Sequence, residues 1–285
     1  MNQALAPTIR TQRVRKNTVQ KRLYFFGTLA LLLIAASFFS EQLCPYDPYL
    51  QDMSLTKAAP SAQHLLGTDR YGRDMLSRVI AGSKTSIFST LLLVGFITVF
   101  GSLIGILCAW AGKKVDILLM RLSDMFLAFP GLVFALAVAA VLGGGVHNAI
   151  LALAAISWPK YARLARSQTL ALQEAPFMQA AKMAGSSTVK LIYKHILPNI
   201  SGPILVTAVL DIGTMMMELA GLSFLGLGAK PPIPEWGSMM SDTRNLLPTQ
   251  PWVTLSPGFA IFFSVMIFNL LGDTVRDYLD PKNRK

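Results

Sequence analysis

QAAKMAGSSTVKLIYKHILPN, residues 179–199, breaks the character of the chain around it. Most of the sequence is apolar, yet this stretch holds three lysines, a histidine, two adjacent alanines, one glycine and a closing Leu197-Pro198. Pro176, just upstream, suits a first helical turn, and residues 177–184 are mostly good helix formers. Gly185 is placed to end that helix in a left-handed conformation. Ser187 or Thr188 can cap a second helix, in which Val189, Ile192, Tyr193 and Ile196 recur at helical spacing. Leu197-Pro198 is expected to stop it. Two short helices at an angle result, with Ala180 and Ala181 leaving a shallow surface on which another protein's backbone can close. A helical loop packed only on its own bundle is the plainer alternative.

The setting of this segment is a membrane. Hydrophobic residues make up 53% of the 285 and charged residues 14%, against roughly a quarter charged in a soluble domain. The apolar excess is gathered in runs at 23–39, 87–110, 117–142, 200–222 and 254–271, each about long enough to cross a ~30 Å hydrocarbon core. A shorter run, 146–158, reaches Pro159 and Lys160 and can continue as helix through residues 161–164. The expectation is an all-α membrane protein with six transmembrane helices.

The net charge of +11 could suggest nucleic acid, but its placement argues for a bilayer instead. With the N-terminus inside, the inner segments hold 19 of the 26 Lys and Arg residues. That asymmetry follows the positive-inside rule, so the basic residues set orientation and no nucleic-acid partner is implied. Both termini are expected in the cytoplasm. Residues 23–39 lack a small-x-small cleavage site, and an uncleaved anchor is expected there. Cys44 and Cys108 lie near a span end and inside a span, so neither a disulfide nor a metal pair is expected.

Organisation follows from the runs. Residues 1–22 read as a cytoplasmic tail, 23–40 as the first span, and 41–84 as an extracytoplasmic segment. That segment contains an amphipathic helix starting near Thr68-Asp69, with Met75, Leu76, Val79 and Ile80 at helical period. A five-span core follows over 85–276, then a cytoplasmic tail over 277–285. Trp236 and Trp252 would suit an interfacial belt. Gly101 and Gly105 form a GxxxG pattern for close helix approach, within the chain or to another subunit.

Catalytic patterns are missing. There is no phosphate loop, HExxH, GxSxG or CxxC. The three histidines (His64, His147, His195) are far apart, and the thirteen methionines read as packing. The chain is therefore expected not to be an enzyme, and uphill transport would need an ion gradient or a nucleotide-hydrolysing partner.

At this point the chain resembles the inner-membrane permease subunits of ATP-binding-cassette importers. Their signature is Glu-Ala-Ala, three residues, Gly, nine residues, Ile-x-Leu-Pro. Here Gln179, Ala180, Ala181, Gly185, Leu197 and Pro198 match its spacing, with Gln179 in place of Glu and His195 in place of Ile. GTDRYGRDMLSR, AFPGLVFALA, WPKYARLARSQTLAL, LAGLSFLGLGAKPPIPEWGSMM and FNLLGDTVRDYLDP extend the likeness to the C-type permeases of the dipeptide, oligopeptide and nickel branch.

The resemblance implies a binding-protein-dependent (type I) importer fold in a bacterial inner membrane and a heterodimer with a second, B-type permease. It also implies two cytoplasmic ATPases that use ATP and Mg, an extracytoplasmic solute-binding protein, and no cofactor on this chain. Residues 174–198 would hold the coupling helix, seated in a cleft of one ATPase.

For the substrate, Asp211, Thr214 and Glu218 share one face of the fifth span. Acids inside a span face a cavity or a partner. Asp211, followed by Ile-Gly and paired methionines, looks like the nickel permeases, so the reading leans to nickel, free or chelated, over small peptides. The alternative for Asp211 is a pairing with the second permease. An ion-coupled secondary transporter or a channel would be the rival classes, but the inverted repeats or paired broken spans of the former are not visible.

Overall fold

The computed structural model describes residues 6–279, and apart from one isolated bridge between Thr68 and Asp74 their regular structure is helical. In chain order the helices are α1 (Ala6–Phe38), α2 (Ser40–Leu43), α3 (Met75–Trp110), α4 (Lys113–Leu127), α5 (Gly131–Val141) and α6 (Val146–Gln173). Then come α7 (Pro176–Met183), α8 (Thr188–Leu191), α9 (Leu197–Leu222), α10 (Trp236–Thr243) and α11 (Pro251–Leu279). One-turn π segments, Ile192–Ile196 and Ser223–Leu227, flank α9.

Among the described residues, four helices are long and apolar enough to cross a membrane: Thr18–Phe38 within α1, α3, the α8–α9 rod, and α11. The bent pair α4–α5 makes a fifth. The remaining expected span, 146–158, is the first half of α6. Lys160, Arg163 and Arg166 lower the apolarity of this helix, and its buried Ala149, Ala152, Leu153 and Ile156 show why it tolerates that. It packs against α3, α5 and α9, so neighbouring helices replace lipid around it.

The core is organised by close approaches. A Cβ on Gly101 would come within 2.5 Å of the Trp158 carbonyl, and one on Gly105 within 2.2 Å of the Ala162 carbonyl. The GxxxG face of α3 is therefore spent on α6 of the same chain. On the other side, a Cβ on Gly213 would meet Asn269 at 2.3 Å, and one on Gly272 would meet Leu210 at 2.6 Å, locking α9 to α11.

Several expectations are corrected. Helix α1 is continuous from Ala6 into the first expected span, so the segment read as a tail is helical where described, while residues 1–5 and 280–285 lie outside the described residues. The third expected span is not one rod, because α4 and α5 meet at 92° around residues 128–130. Pro130 forces this: the residue before a proline is steered out of the helical region.

The expected helix near Thr68 starts later and is not a separate element. Asp74 caps α3, accepting from the Ser77 N–H and hydroxyl at 2.7 Å each, and the helix then runs unbroken into the span. Asp69 instead organises the preceding turn, accepting from the Tyr71 N–H at 2.8 Å and from Arg73 Nε at 2.7 Å. Trp236 is no interfacial residue. It is buried over Gly82, donating from Nε1 to the Val79 carbonyl, and Trp252 packs on Gly67.

Candidate functional site

The α6–α9 connection builds a rigid surface feature. Ala175 is extended, and Pro176 fills the first turn of α7, where its missing N–H costs nothing. The C-terminus of α7 closes with two reversed hydrogen bonds, Ser186 N–H to the Ala181 carbonyl at 3.1 Å and Gly185 N–H to the Lys182 carbonyl at 3.0 Å. That pair requires a left-handed residue, and Gly185 supplies it at φ +77°. The Ser187 hydroxyl then caps α8 by accepting from the Lys190 N–H.

Leu197-Pro198 does not stop the second helix, contrary to expectation. The π segment lets the Leu197 N–H reach back to the Ile192 carbonyl, and Pro198 falls in the first turn of α9. One hydrogen-bond register shift thus accommodates the proline, and α8 leads into the span without a break.

The connection is anchored inward by Met178, Leu191 and Ile196, all buried. The side chains expected to share one face are split: Ile196 is buried, while Val189 and Tyr193 are about three-quarters exposed, at 75% and 76%. Met183 is 90% exposed and Phe177 also projects. Gln179, Ala180, Gly185, Leu197 and Pro198 are exposed and Ala181 is half-buried. Phe177 and Met183 on α7, and Val189 and Tyr193 beyond Gly185, are therefore apolar side chains presented outward on the same connection as the small residues. Composition gave no sign of this, because outward and inward apolar residues look alike in sequence.

A second polar site lies inside the bundle. Asp211 on α9 is buried, and its carboxylate accepts from Lys160 Nζ at 2.6 Å and from the Tyr161 hydroxyl at 2.8 Å, both on α6. The acid thus has its counter-charge in its own chain. Thr214 is exposed and Glu218 half-buried, one and two turns further along α9. Lys160 and Tyr161 were not singled out as site residues, because Lys160 read as an inner-side charge at the end of an apolar run. Two more cations of α6 reach α4: Arg163 pairs with Asp124, and Arg166 with Asp116 through both carboxylate oxygens.

Long apolar helices, with an ion pair half-buried among them and an exposed helical turn leading into one of them, are the architecture of a membrane-spanning protein. Residues 101–285 match the model of the "Binding-protein-dependent transport system inner membrane component" family. The chain belongs to that family, and it is the permease subunit of an ABC importer.

Among its relatives, the dipeptide transport system permease protein DppC of Alkalihalophilus pseudofirmus is 43% identical, over 78% of this chain and 73% of that protein. The nickel transport system permease protein NikC of Escherichia coli K12 is 40% identical, over 93% of this chain and 94% of that protein. In fold, the chain resembles an inward-facing structure of the MetNI methionine ABC transporter, with TM-score 0.58 and 19% identity over 72% of this chain and 97% of that one.

Proposed function

We propose that this chain forms, with a second B-type permease, the translocation path of an ATP-driven importer in a bacterial inner membrane, both termini lying in the cytoplasm. Two ABC ATPases would hydrolyse ATP with Mg, one of them receiving α7 and α8 in a cleft, and a solute-binding protein would dock at the opposite end, near α10. The carrying observation is the α7–Gly185–α8 turn. Its small residues and the exposed Met183, Val189 and Tyr193 lie on an element continuous with a spanning helix. Closure of the ATPases around it would move α9 and reorient the bundle between inward-facing and outward-facing states.

We infer nickel, free or chelated, as the cargo. The nearly end-to-end match to a nickel permease supports this reading. A second reading, di- or oligopeptides, is favoured by the pairing of Lys160 with Asp211, since charges of both signs suit a zwitterion.

Cells supplied with the complete set of subunits, and otherwise unable to import either cargo, distinguish the two. Radioactive nickel should accumulate, and excess dipeptide should leave that uptake unchanged. Dipeptide accumulation that nickel does not compete would replace the first reading with the second.

A further inference from the structure

Lys160 occupies a place that lysines rarely hold. Its ion pair sets it level with Asp211, eleven residues and about 16 Å of helix beyond Ile200, where the apolar run of the fifth span begins. A membrane boundary near Ile200 would put the pair well inside a hydrocarbon core about 30 Å thick. The Asp211 side chain is 5% exposed, but that of Lys160 is 54% exposed. An ammonium at this depth does not present half its side chain to lipid; such groups face a cavity or a partner.

The root of the side chain is fixed. Asp211 also holds the hydroxyl of the neighbouring Tyr161, which is fully buried. The backbone there is pressed against Gly101, where an added Cβ would lie 2.7 Å from the Tyr161 Cβ. The head is not used up. An ammonium carries three N–H donors, and Lys160 gives one to Asp211.

We propose that Lys160 is a specificity-determining residue of the translocation path and takes the carboxylate group of the passing cargo. This assignment rests on the chain being the permease of an importer. The carboxylate is either the C-terminus of a small peptide or that of an organic ligand chelating nickel. The physical reason is that a charge-assisted hydrogen bond to carboxylate uses donors the ion pair leaves open. Asp211 offsets the ammonium's charge at 2.6 Å, so a passing carboxylate displaces water instead of breaking the pair.

Glu218 lies seven residues further, about 10 Å along α9, and offers the opposite sign to the cationic part of the same cargo. A bare divalent cation, by contrast, has no acceptor to give those donors. Among the cargoes proposed above, the site therefore favours a peptide or a chelate over the bare ion.

The test measures ATP-dependent uptake by the complete complex for four probes: free Ni²⁺, Ni²⁺ chelated by histidine, dialanine, and dialanine amide. In Lys160→Met, uptake of the carboxylate-bearing cargo should fall about tenfold, the scale of one lost charge-assisted hydrogen bond. Uptake of free nickel or of the amide should hold or rise, and Lys160→Arg should restore the original preference. Which carboxylate-bearing probe responds identifies the source, chelator or peptide.

Because Lys160→Met leaves Asp211 buried and unpaired, Lys160→Met/Asp211→Asn is assayed beside it and must show the same preference. Equal loss for every probe in both variants, or no loss in either, overturns the assignment. Wild-type complex that moves none of the four probes with ATP would instead overturn the importer reading, and this assignment with it.

Discussion

Gly185 turns the chain back between α7 and α8 at φ +77°, and a Cβ added there would touch nothing within 4 Å. Any effect of substitution must therefore come from the backbone and not from a clash. A left-handed conformation costs a side-chain-bearing residue about 1–2 kcal/mol, most for β-branched residues, while asparagine adopts it readily. Gly185→Val should then lower uptake by about tenfold or more with membrane insertion unchanged, and Gly185→Asn should retain most of it. Normal transport by the valine variant, with the protein at normal abundance, would show that this turn does not couple the subunits. This turn was legible in advance, since Pro176, Gly185 and Ser187 act through local backbone rules. The Lys160–Asp211 pair was not, because its partners are 51 residues apart and no local rule joins them.

Between helices, the α3–α6 seam sets the geometry of the whole bundle, because it fixes the helix that carries Lys160. With the Ala162 carbonyl 2.2 Å from where its Cβ would lie, Gly105→Ala forces α3 and α6 apart. Overpacking of this kind costs about 1–3 kcal/mol. The purified complex should lose thermal stability measurably. Gly95→Ala, at a position with nothing within 4 Å, should not. Equal melting of the two variants would place the seam elsewhere.

The apolar runs predicted where these helices lie, and the Gly101/Gly105 spacing announced a close approach. Periodicity could not tell which helix would accept it. Nor could it show that Phe129-Pro130 breaks the run over 117–142 into two arms, or that a π segment carries the helix past Pro198. Hydropathy averages over a window, whereas breaks and register shifts are set by single hydrogen bonds.

For the whole molecule, orientation follows from charge. On the positive-inside distribution α7 is expected in the cytoplasm and α10 outside. Single cysteines at Lys182, Gln63 and Lys230, all exposed positions, report this with an impermeant thiol reagent. Gln63 is the better choice over Lys57, whose backbone is left-handed at φ 57°. Burial pushes the native Cys44 thiol up, so it stays protonated and slow to react near neutral pH. It is replaced by serine in any case, and Cys108 by alanine. Reagent outside intact cells should label positions 63 and 230 and spare 182; labelling of 182 from outside would invert the arrangement.

What drives the transport is tested most directly in proteoliposomes containing this chain, its partner permease, the ATPases and the binding protein. Cargo should accumulate against its gradient only while ATP is hydrolysed on the cytoplasmic side, and vesicles holding this chain alone should pass none. Flux through the chain alone, or accumulation that follows an ion gradient and ignores ATP, would contradict the account.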